Sequence, residues 1–162
     1  MRKYCLDTNV LIEAKNGPYA FDIAPSFWEL IHENFEQRIV ITSSLVYKEL
    51  TEGDDDLAIW IRAQKDLGCF IEPDKNVQDQ FSAIADYVNG AYPQNQSASF
   101  LNCADPWVIA LAKATDTVVV TQEVLVGRES KKVKIPNVCQ QFNVLYIGTY
   151  QMLRELKANI KF

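Results

Sequence analysis

The sequence is poor in histidine and lacks closely spaced cysteines, which excludes several kinds of catalytic site. It contains one histidine, His32, and four cysteines without a C-x-x-C pair. A serine or cysteine triad would depend on His32 alone, and its helical surroundings favour an ordinary helix-surface residue. The cysteines are Cys5, Cys69, Cys103 and Cys139. Because they lie far apart in the chain, we interpret them as free buried thiols rather than as a zinc or redox site.

Long apolar runs are also missing. No stretch approaches the roughly 20 apolar residues that a membrane-spanning helix needs. The polar residues Asp7 and Asn9 interrupt what would be the apolar segment of a signal peptide. We therefore expect a cytosolic protein that does not enter a membrane.

An overall excess of positive charge is absent, but charge is distributed unevenly. The formal net charge is −5, which gives no general sign of nucleic-acid binding. Residues 1–110 hold 8 Lys and Arg against 17 Asp and Glu, whereas residues 111–162 hold 8 against 4. A basic C-terminal third could contact phosphates, because binding responds to local potential. From charge alone, a solvated surface is the better interpretation.

The order of local patterns predicts a single α/β domain spanning residues 1–162. Hydrophobic residues make up 48% of the chain and charged residues 23%, as in ordinary globular proteins. Strand and helix patterns alternate without repeats or a linker, which indicates a parallel sheet with helices on both faces. Strands are predicted near residues 4–6, 39–42, 70–71, 117–121 and 144–147. Helices are predicted near residues 21–37, 57–67, 77–88 and 150–158, and residues 92–102 are predicted to form a polar, mobile loop.

Four acidic residues follow strands or begin helices in this pattern. Asp7 ends the first strand, and Glu49 lies about two turns into the helix after the second. Asp105 begins a helix with Pro106, and Glu123 follows the apolar strand VVVT. Alone, Asp7 is better interpreted as a helix cap, and Glu49 as a surface residue. If the strands are parallel neighbours, however, all four acids converge on one crevice.

Clustered carboxylates repel one another unless a cation neutralises them. Repulsion raises their pKa values, so such a cluster is stable when a metal is bound. Oxygen ligands without histidine or cysteine favour Mg²⁺ or Mn²⁺ over zinc. The pattern therefore predicts a hard-cation site.

The acidic motifs resemble those of a known family. DTN after a strand, Glu49 in SSLVYKEL, Asp105 in ADPWVIALA and Glu123 in VVVTQE are similar, in order and approximate spacing, to motifs of PIN-domain metal-dependent ribonucleases. The resemblance is closest to the bacterial toxins of toxin-antitoxin pairs and covers most of the chain. This family usually has aspartate where the present chain has Glu123. The resemblance implies a three-layer α/β/α fold with a central parallel sheet.

The resemblance also implies roles for individual residues. Asp7 and Asp105 would hold Mg²⁺ or Mn²⁺, with Glu49 and Glu123 completing or orienting the site, and a water molecule would cut RNA. Neighbouring polar side chains would orient these carboxylates, and basic residues after Glu123 would contact RNA phosphates. The orienting residues are Thr8, Asn9 and Thr121. The basic residues are Arg128, Lys131, Lys132 and Lys134. An antitoxin protein is an implied partner, and a homodimer is usual in the family.

Two other interpretations remain open from the sequence. A catalytically degenerate binding module of the same fold would account for the glutamate at position 123 and the negative net charge. A phosphatase that uses Asp7 as a covalent nucleophile ranks last, because the residue two positions later is Asn9 rather than a second acid.

Overall fold

The protein is built around a five-stranded, entirely parallel sheet. A computed structural model describes all 162 residues. The strand order is β3-β2-β1-β4-β5. The strands are β1 (Tyr4–Leu6), β2 (Val40–Ser43), β3 (Phe70–Ile71), β4 (Val118–Val120) and β5 (Tyr146–Ile147). Every residue of β1, β2 and β4 is buried, as expected for central strands that are covered on both faces.

Nine α-helices complete a three-layer α/β/α arrangement, which confirms the predicted fold class. They are α1 (Thr8–Asn16), α2 (Pro25–Glu36), α3 (Ser44–Leu50), α4 (Asp56–Ala63), α5 (Lys75–Ala91), α6 (Gln94–Leu101), α7 (Asp105–Thr115), α8 (Ile135–Gln141) and α9 (Thr149–Glu155). Helix α2 packs on β2, and α7 packs across β1, β2 and β4. None of the helices is long and apolar enough to cross a membrane.

The polar segment 92–102 is a helix rather than the predicted mobile loop. Helix α6 covers most of it and packs against α5 and α7. Phe100 is buried, and the buried Ser97 hydroxyl donates a hydrogen bond to Asn89 Oδ1 at 3.0 Å. These tertiary contacts override the weak helical tendency of a sequence rich in Gln, Asn and Ser.

The predicted helix over residues 57–67 is divided in the structure. Helix α4 ends at Ala63, and a 3₁₀ turn follows at Lys65–Leu67. Gly68 then adopts a left-handed φ of 74°, which favours glycine and leads the chain into β3. The four cysteines are free thiols, as predicted, and three of them are buried, whereas Cys103 is only partly buried.

The order of the strands reverses at the centre of the sheet. The chain moves outward from β1 to β3, and then returns to the other side of β1 to form β4 and β5. The carboxyl ends of β1 and β4 therefore meet where the strand order reverses, which is the usual position of ligand sites in such sheets. Helix α7 is buried along most of its length, so it holds Asp105 firmly at its first turn.

Candidate active site

Asp7 lies at the end of β1 and is completely buried, with 0% of its surface exposed. It occupies the N-cap position of α1, but its side chain makes no capping hydrogen bond. Its Oδ2 instead accepts a hydrogen bond of 3.0 Å from the hydroxyl of Thr121, which follows β4. Its Oδ1 is buried without a hydrogen-bond partner. The helix-cap interpretation is therefore wrong for this side chain, and one oxygen remains available to a ligand.

Burial raises the pKa of Asp7 to about 7, because the charged carboxylate is removed from water. The negative charges of Asp105 and Glu123 contribute to this increase, while the Thr121 hydrogen bond opposes it. The Asn9 backbone N–H also lowers the pKa slightly, although its geometry falls short of a hydrogen bond. Without a cation, this carboxyl group is thus partly protonated at neutral pH.

Asp105 is the first residue of α7 and faces the same cluster of acids. Burial raises its pKa to about 6, and the charges of Glu123 and Glu49 add to this increase. Since Asp105 also acts on the pKa of Asp7, the two carboxyl groups titrate as an interacting pair. Glu49 and Glu123 also act on the pKa of Asp105, so the charges of all four predicted acids interact, although no three of them lie close enough to form a metal site.

Glu49 supports the acidic cluster through two hydrogen bonds. Its Oε2 accepts a bond of 3.0 Å from the Thr8 hydroxyl, and its Oε1 accepts one of 2.7 Å from the backbone N–H of Ala104. The second bond fixes the residue immediately before Asp105. Thr8 thus orients Glu49 rather than Asp7. Asn9 is exposed and its side chain makes no hydrogen bond, so the structure does not place it as an orienting residue.

Glu123 is directed towards the start of α8. Its Oε2 accepts a hydrogen bond of 2.9 Å from the Ile135 N–H, and its Oε1 lies 3.8 Å from the Lys134 ammonium group. Its own N–H donates a bond of 3.1 Å to the Thr121 hydroxyl, which in turn holds Asp7. The longer glutamate side chain therefore reaches α8 while its charge still acts on Asp7.

The basic segment after Glu123 is held at its base and exposed at its tip. Val126 and Asn137 are joined by two hydrogen bonds, from Val126 N–H to Asn137 Oδ1 at 3.1 Å and from Asn137 Nδ2 to Val126 O at 2.9 Å. Arg128, Lys131 and Lys132 are exposed and form no salt bridge. Lys134 is half-buried beside Glu123. Three of the four predicted phosphate-binding side chains are thus free to contact a ligand.

Several contributors to the site could not be identified from the sequence. The Ala104 amide acts through its backbone, and Asn137 has no motif around it. A groove of about 470 Å³ adjoins Glu49, and its lining includes Lys48 and the aromatic ring of Trp107. The residues that line this groove come together only through the packing of α1, α3 and α7, so no local sequence pattern indicates them.

The donor atoms suit a hard divalent cation. No three His, Cys, Asp or Glu side chains lie close enough to form a complete metal site. The acidic side chains would therefore have to move closer together to bind an ion. The unpartnered Asp7 Oδ1 is the strongest indication of a fit, because a buried carboxylate oxygen without a donor is costly. A cation would satisfy this atom and remove the repulsion that raises the pKa values of Asp7 and Asp105.

Comparison with known proteins agrees with this fold. Residues 4–160 match the model of a protein family described as Domain of unknown function (DUF4411). A search of curated proteins gives no match. Among solved structures, the chain resembles one from the crystal structure of VapBC2 from Rickettsia felis bound to a DNA fragment from their promoter. The TM-score is 0.52 at 14% identity, over 90% of this chain and 97% of that chain. At this identity the likeness concerns the fold alone, and it agrees with the α/β fold with a central parallel sheet that the sequence predicts.

Proposed function

The chain belongs to the DUF4411 family, and we propose that this protein is a divalent-metal-dependent endoribonuclease. The observation that carries the proposal is the buried Asp7 carboxylate, which has one unpartnered oxygen and lies beside Asp105 where the strand order reverses. Such an arrangement destabilises the folded protein unless a cation is bound. A functional role therefore best explains why these carboxylates lie in a well-packed core.

Asp7 and Asp105 would hold Mg²⁺ or Mn²⁺, with Glu49 and Glu123 nearby. When bound, this cation supplies Lewis-acid polarisation of a phosphodiester and eases the deprotonation of water. The hydroxyl of Thr121 keeps Asp7 in place through Oδ2 and leaves Oδ1 without a hydrogen-bond partner.

The remaining side chains would position the substrate. Glu49 fixes the backbone at the start of α7 through the Ala104 amide, so the position of the Asp105 backbone is set before a ligand arrives. The exposed cations of the segment after Glu123 would bind phosphates beside the acids. We propose single-stranded or looped RNA as the substrate, because the phosphodiester backbone is accessible in unpaired RNA.

The PIN-like fold also supports a biological role. We propose that the protein is the toxin of a bacterial toxin-antitoxin pair and that an antitoxin protein is its partner. The structural neighbour is a VapBC2 complex, which motivates this proposal. Growth arrest on expression, lost in the Asp105→Asn variant, would support it. Unimpaired growth despite measurable RNA cleavage in vitro would contradict the toxin role alone.

The enzymatic proposal is tested by measuring cleavage of a labelled single-stranded RNA in Mg²⁺, in Mn²⁺ and in EDTA. We expect cleavage only with a metal, and a decrease of at least about 100-fold in Asp105→Asn, since that carboxylate would hold the metal. The matched control is Asp79→Asn, which changes an exposed aspartate on α5. Full activity in EDTA, or in Asp105→Asn, would refute the mechanism.

A non-catalytic binding module is the second candidate function. The observation that favours it is the engagement of Glu123 by Ile135 and Lys134, which directs that carboxylate towards α8. This candidate predicts no calorimetric signal when millimolar Mn²⁺ is added. Saturable Mn²⁺ binding that is abolished by the Asp105→Ala substitution would exclude this candidate.

The basic segment gives a separate prediction about RNA affinity. Replacing Lys131 and Lys132 by alanine is expected to weaken RNA binding. It should also reduce the slope of log affinity against log salt by about 1.4, because each phosphate contact to a single strand contributes about 0.7. Fluorescence anisotropy at several salt concentrations measures both effects. The control is the alanine double variant of Lys75 and Lys113, two exposed lysines elsewhere. Equal slopes for the two double variants would rule out phosphate contacts by Lys131 and Lys132.

A further inference from the structure

An open pocket lined by aromatic rings lies between α2 and α4. Its volume is about 480 Å³, and no residue that lines it belongs to the acidic cluster around Asp7. Three aromatic side chains form much of its wall, namely Phe21, Trp28 and Trp60. The other lining residues are Pro25, Glu29, His32 and Glu33. The proposed nuclease activity makes no use of this pocket.

The three rings meet at different angles. Phe21 stacks on Trp28 with centroids 4.1 Å apart and planes at 25°. Trp60 meets Trp28 edge-on, at 4.9 Å and 70°, and lies 6.4 Å from Phe21 at 49°. Because these contacting rings are not all parallel, a cation on their solvent side can interact with more than one π-system. Trp28 is only 3% exposed, so it forms the floor, while Phe21 and Trp60 are the more accessible walls.

Buried hydrogen bonds hold the two helices that form the pocket. Gln64 is 4% exposed and donates from Nε2 to the carbonyl of Trp60 at 3.0 Å. Its Oε1 accepts from His32 Nδ1 at 2.5 Å, which requires the proton of His32 to be on Nδ1. The indole N–H of Trp28 donates to the Tyr19 carbonyl at 2.7 Å. The pocket is therefore pre-organised and does not depend on a ligand for its shape.

The charge of the pocket is negative and unbalanced. Glu29 and Glu33 are one helical turn apart on α2, both are exposed, and neither forms a salt bridge. The lining contains no lysine or arginine. Carboxylates beside aromatic faces suit a planar guanidinium group, which stacks on rings and donates two parallel hydrogen bonds to a carboxylate.

We propose that this pocket binds an arginine side chain presented by a partner protein. The guanidinium group contacts the rings of Phe21 and Trp60, and the carboxylates of Glu29 and Glu33 neutralise its charge. The openness of the pocket to solvent suits a side chain projecting from another protein. This site is independent of the acidic cluster, so its test does not depend on nuclease activity.

The experiment is an NMR titration that follows the indole N–H signals. Trp28 and Trp60 report on the pocket, while Trp107, which stacks on Phe81 elsewhere, is an internal reference. The probes are a capped Gly-Arg-Gly peptide and the same peptide with citrulline, the neutral isostere of arginine. We expect saturable shifts of Trp28 and Trp60 alone, with the arginine peptide binding at least about tenfold more tightly.

Variants and further probes decide the assignment. The double variant Glu29→Gln and Glu33→Gln is expected to weaken binding about tenfold, since it removes both charges. The control double variant, Glu13→Gln and Glu36→Gln, changes two exposed acids outside the pocket and should bind normally. Equal binding of the citrulline peptide, or no effect of the first double variant, would overturn the proposal. Tighter binding of tetramethylammonium would instead indicate a quaternary-ammonium site. Tighter binding of free arginine would mean that the pocket binds the amino acid and not a side chain of a partner protein.

Discussion

Replacing Asp7 by asparagine is expected to abolish RNA cleavage and, at the same time, to stabilise the metal-free protein. Asparagine has nearly the same shape, and its carbonyl oxygen can still accept the hydrogen bond from Thr121. It cannot, however, supply the negative charge that holds a divalent cation. We expect cleavage to fall by at least about 100-fold, as measured with a labelled RNA in saturating Mg²⁺.

The stabilising effect of the same substitution follows from burial and charge. The pKa of Asp7 rises from 3.8 to about 7, so ionising this group in the folded state costs free energy at neutral pH. Asparagine avoids that cost, and the free energy of unfolding is expected to rise by an amount on the order of 2 kcal/mol at pH 7.5 in EDTA. Urea unfolding followed by circular dichroism measures the change.

Two results would contradict this account of Asp7. A destabilised Asp7→Asn protein would mean that the carboxylate contributes to folding through a partner other than a metal. Retained cleavage would remove Asp7 from the active site. The control Asp79→Asn should change neither quantity, since Asp79 is exposed and paired only with Lys75 on the same helix.

The sequence predicted the layers of the fold and the positions of the acids for physical reasons that act locally. The run Val118–Val120 is uniformly apolar and β-branched, which is typical of a strand covered on both faces. A polar residue directly after such a strand, such as Asp7 or Thr121, must lie at the carboxyl edge of the sheet. Parallel connections place these strand ends at the same edge of the sheet, which is why the sequence predicts that the acids lie near one another.

The hydrogen-bonding pattern of the site could not be predicted, because it depends on distant packing. Whether the Thr8 hydroxyl donates its hydrogen bond to Asp7 or to Glu49 depends on how α1 packs against α3. The direction of Glu123 depends on where α8 begins, and nothing in VVVTQE specifies that position. The helix α6 was missed for a related reason, since its stability comes from contacts with α5 and α7 rather than from its own residues.

The metal-free protein is expected to lose stability as the pH rises from about 4 to about 7. Folding raises the pKa of Asp7 to about 7 and that of Asp105 to about 6, from an ordinary value of 3.8. The folded state therefore binds more protons than the unfolded state across this range, and each increase in pH favours unfolding. The stabilising contribution of these protonated groups is complete below about pH 4 and is lost above about pH 7. The variant Asp7→Asn should show a correspondingly flatter dependence.

Mn²⁺ should reverse this loss, because it replaces the protons that otherwise neutralise the acids. At a concentration 100 times its dissociation constant, a ligand that binds only the folded state adds about 2.7 kcal/mol, which corresponds to an increase in Tm of roughly 5–10 °C for a domain of this size. We expect that increase at pH 7.5 and a smaller one at pH 5.5, where protons compete for Asp7 and Asp105. Thermal unfolding at both pH values measures it. The double variant Asp7→Asn and Asp105→Asn should show no increase at either pH. An equal increase in that variant would mean that Mn²⁺ binds elsewhere, and the raised pKa values would then reflect burial without a metal to balance it.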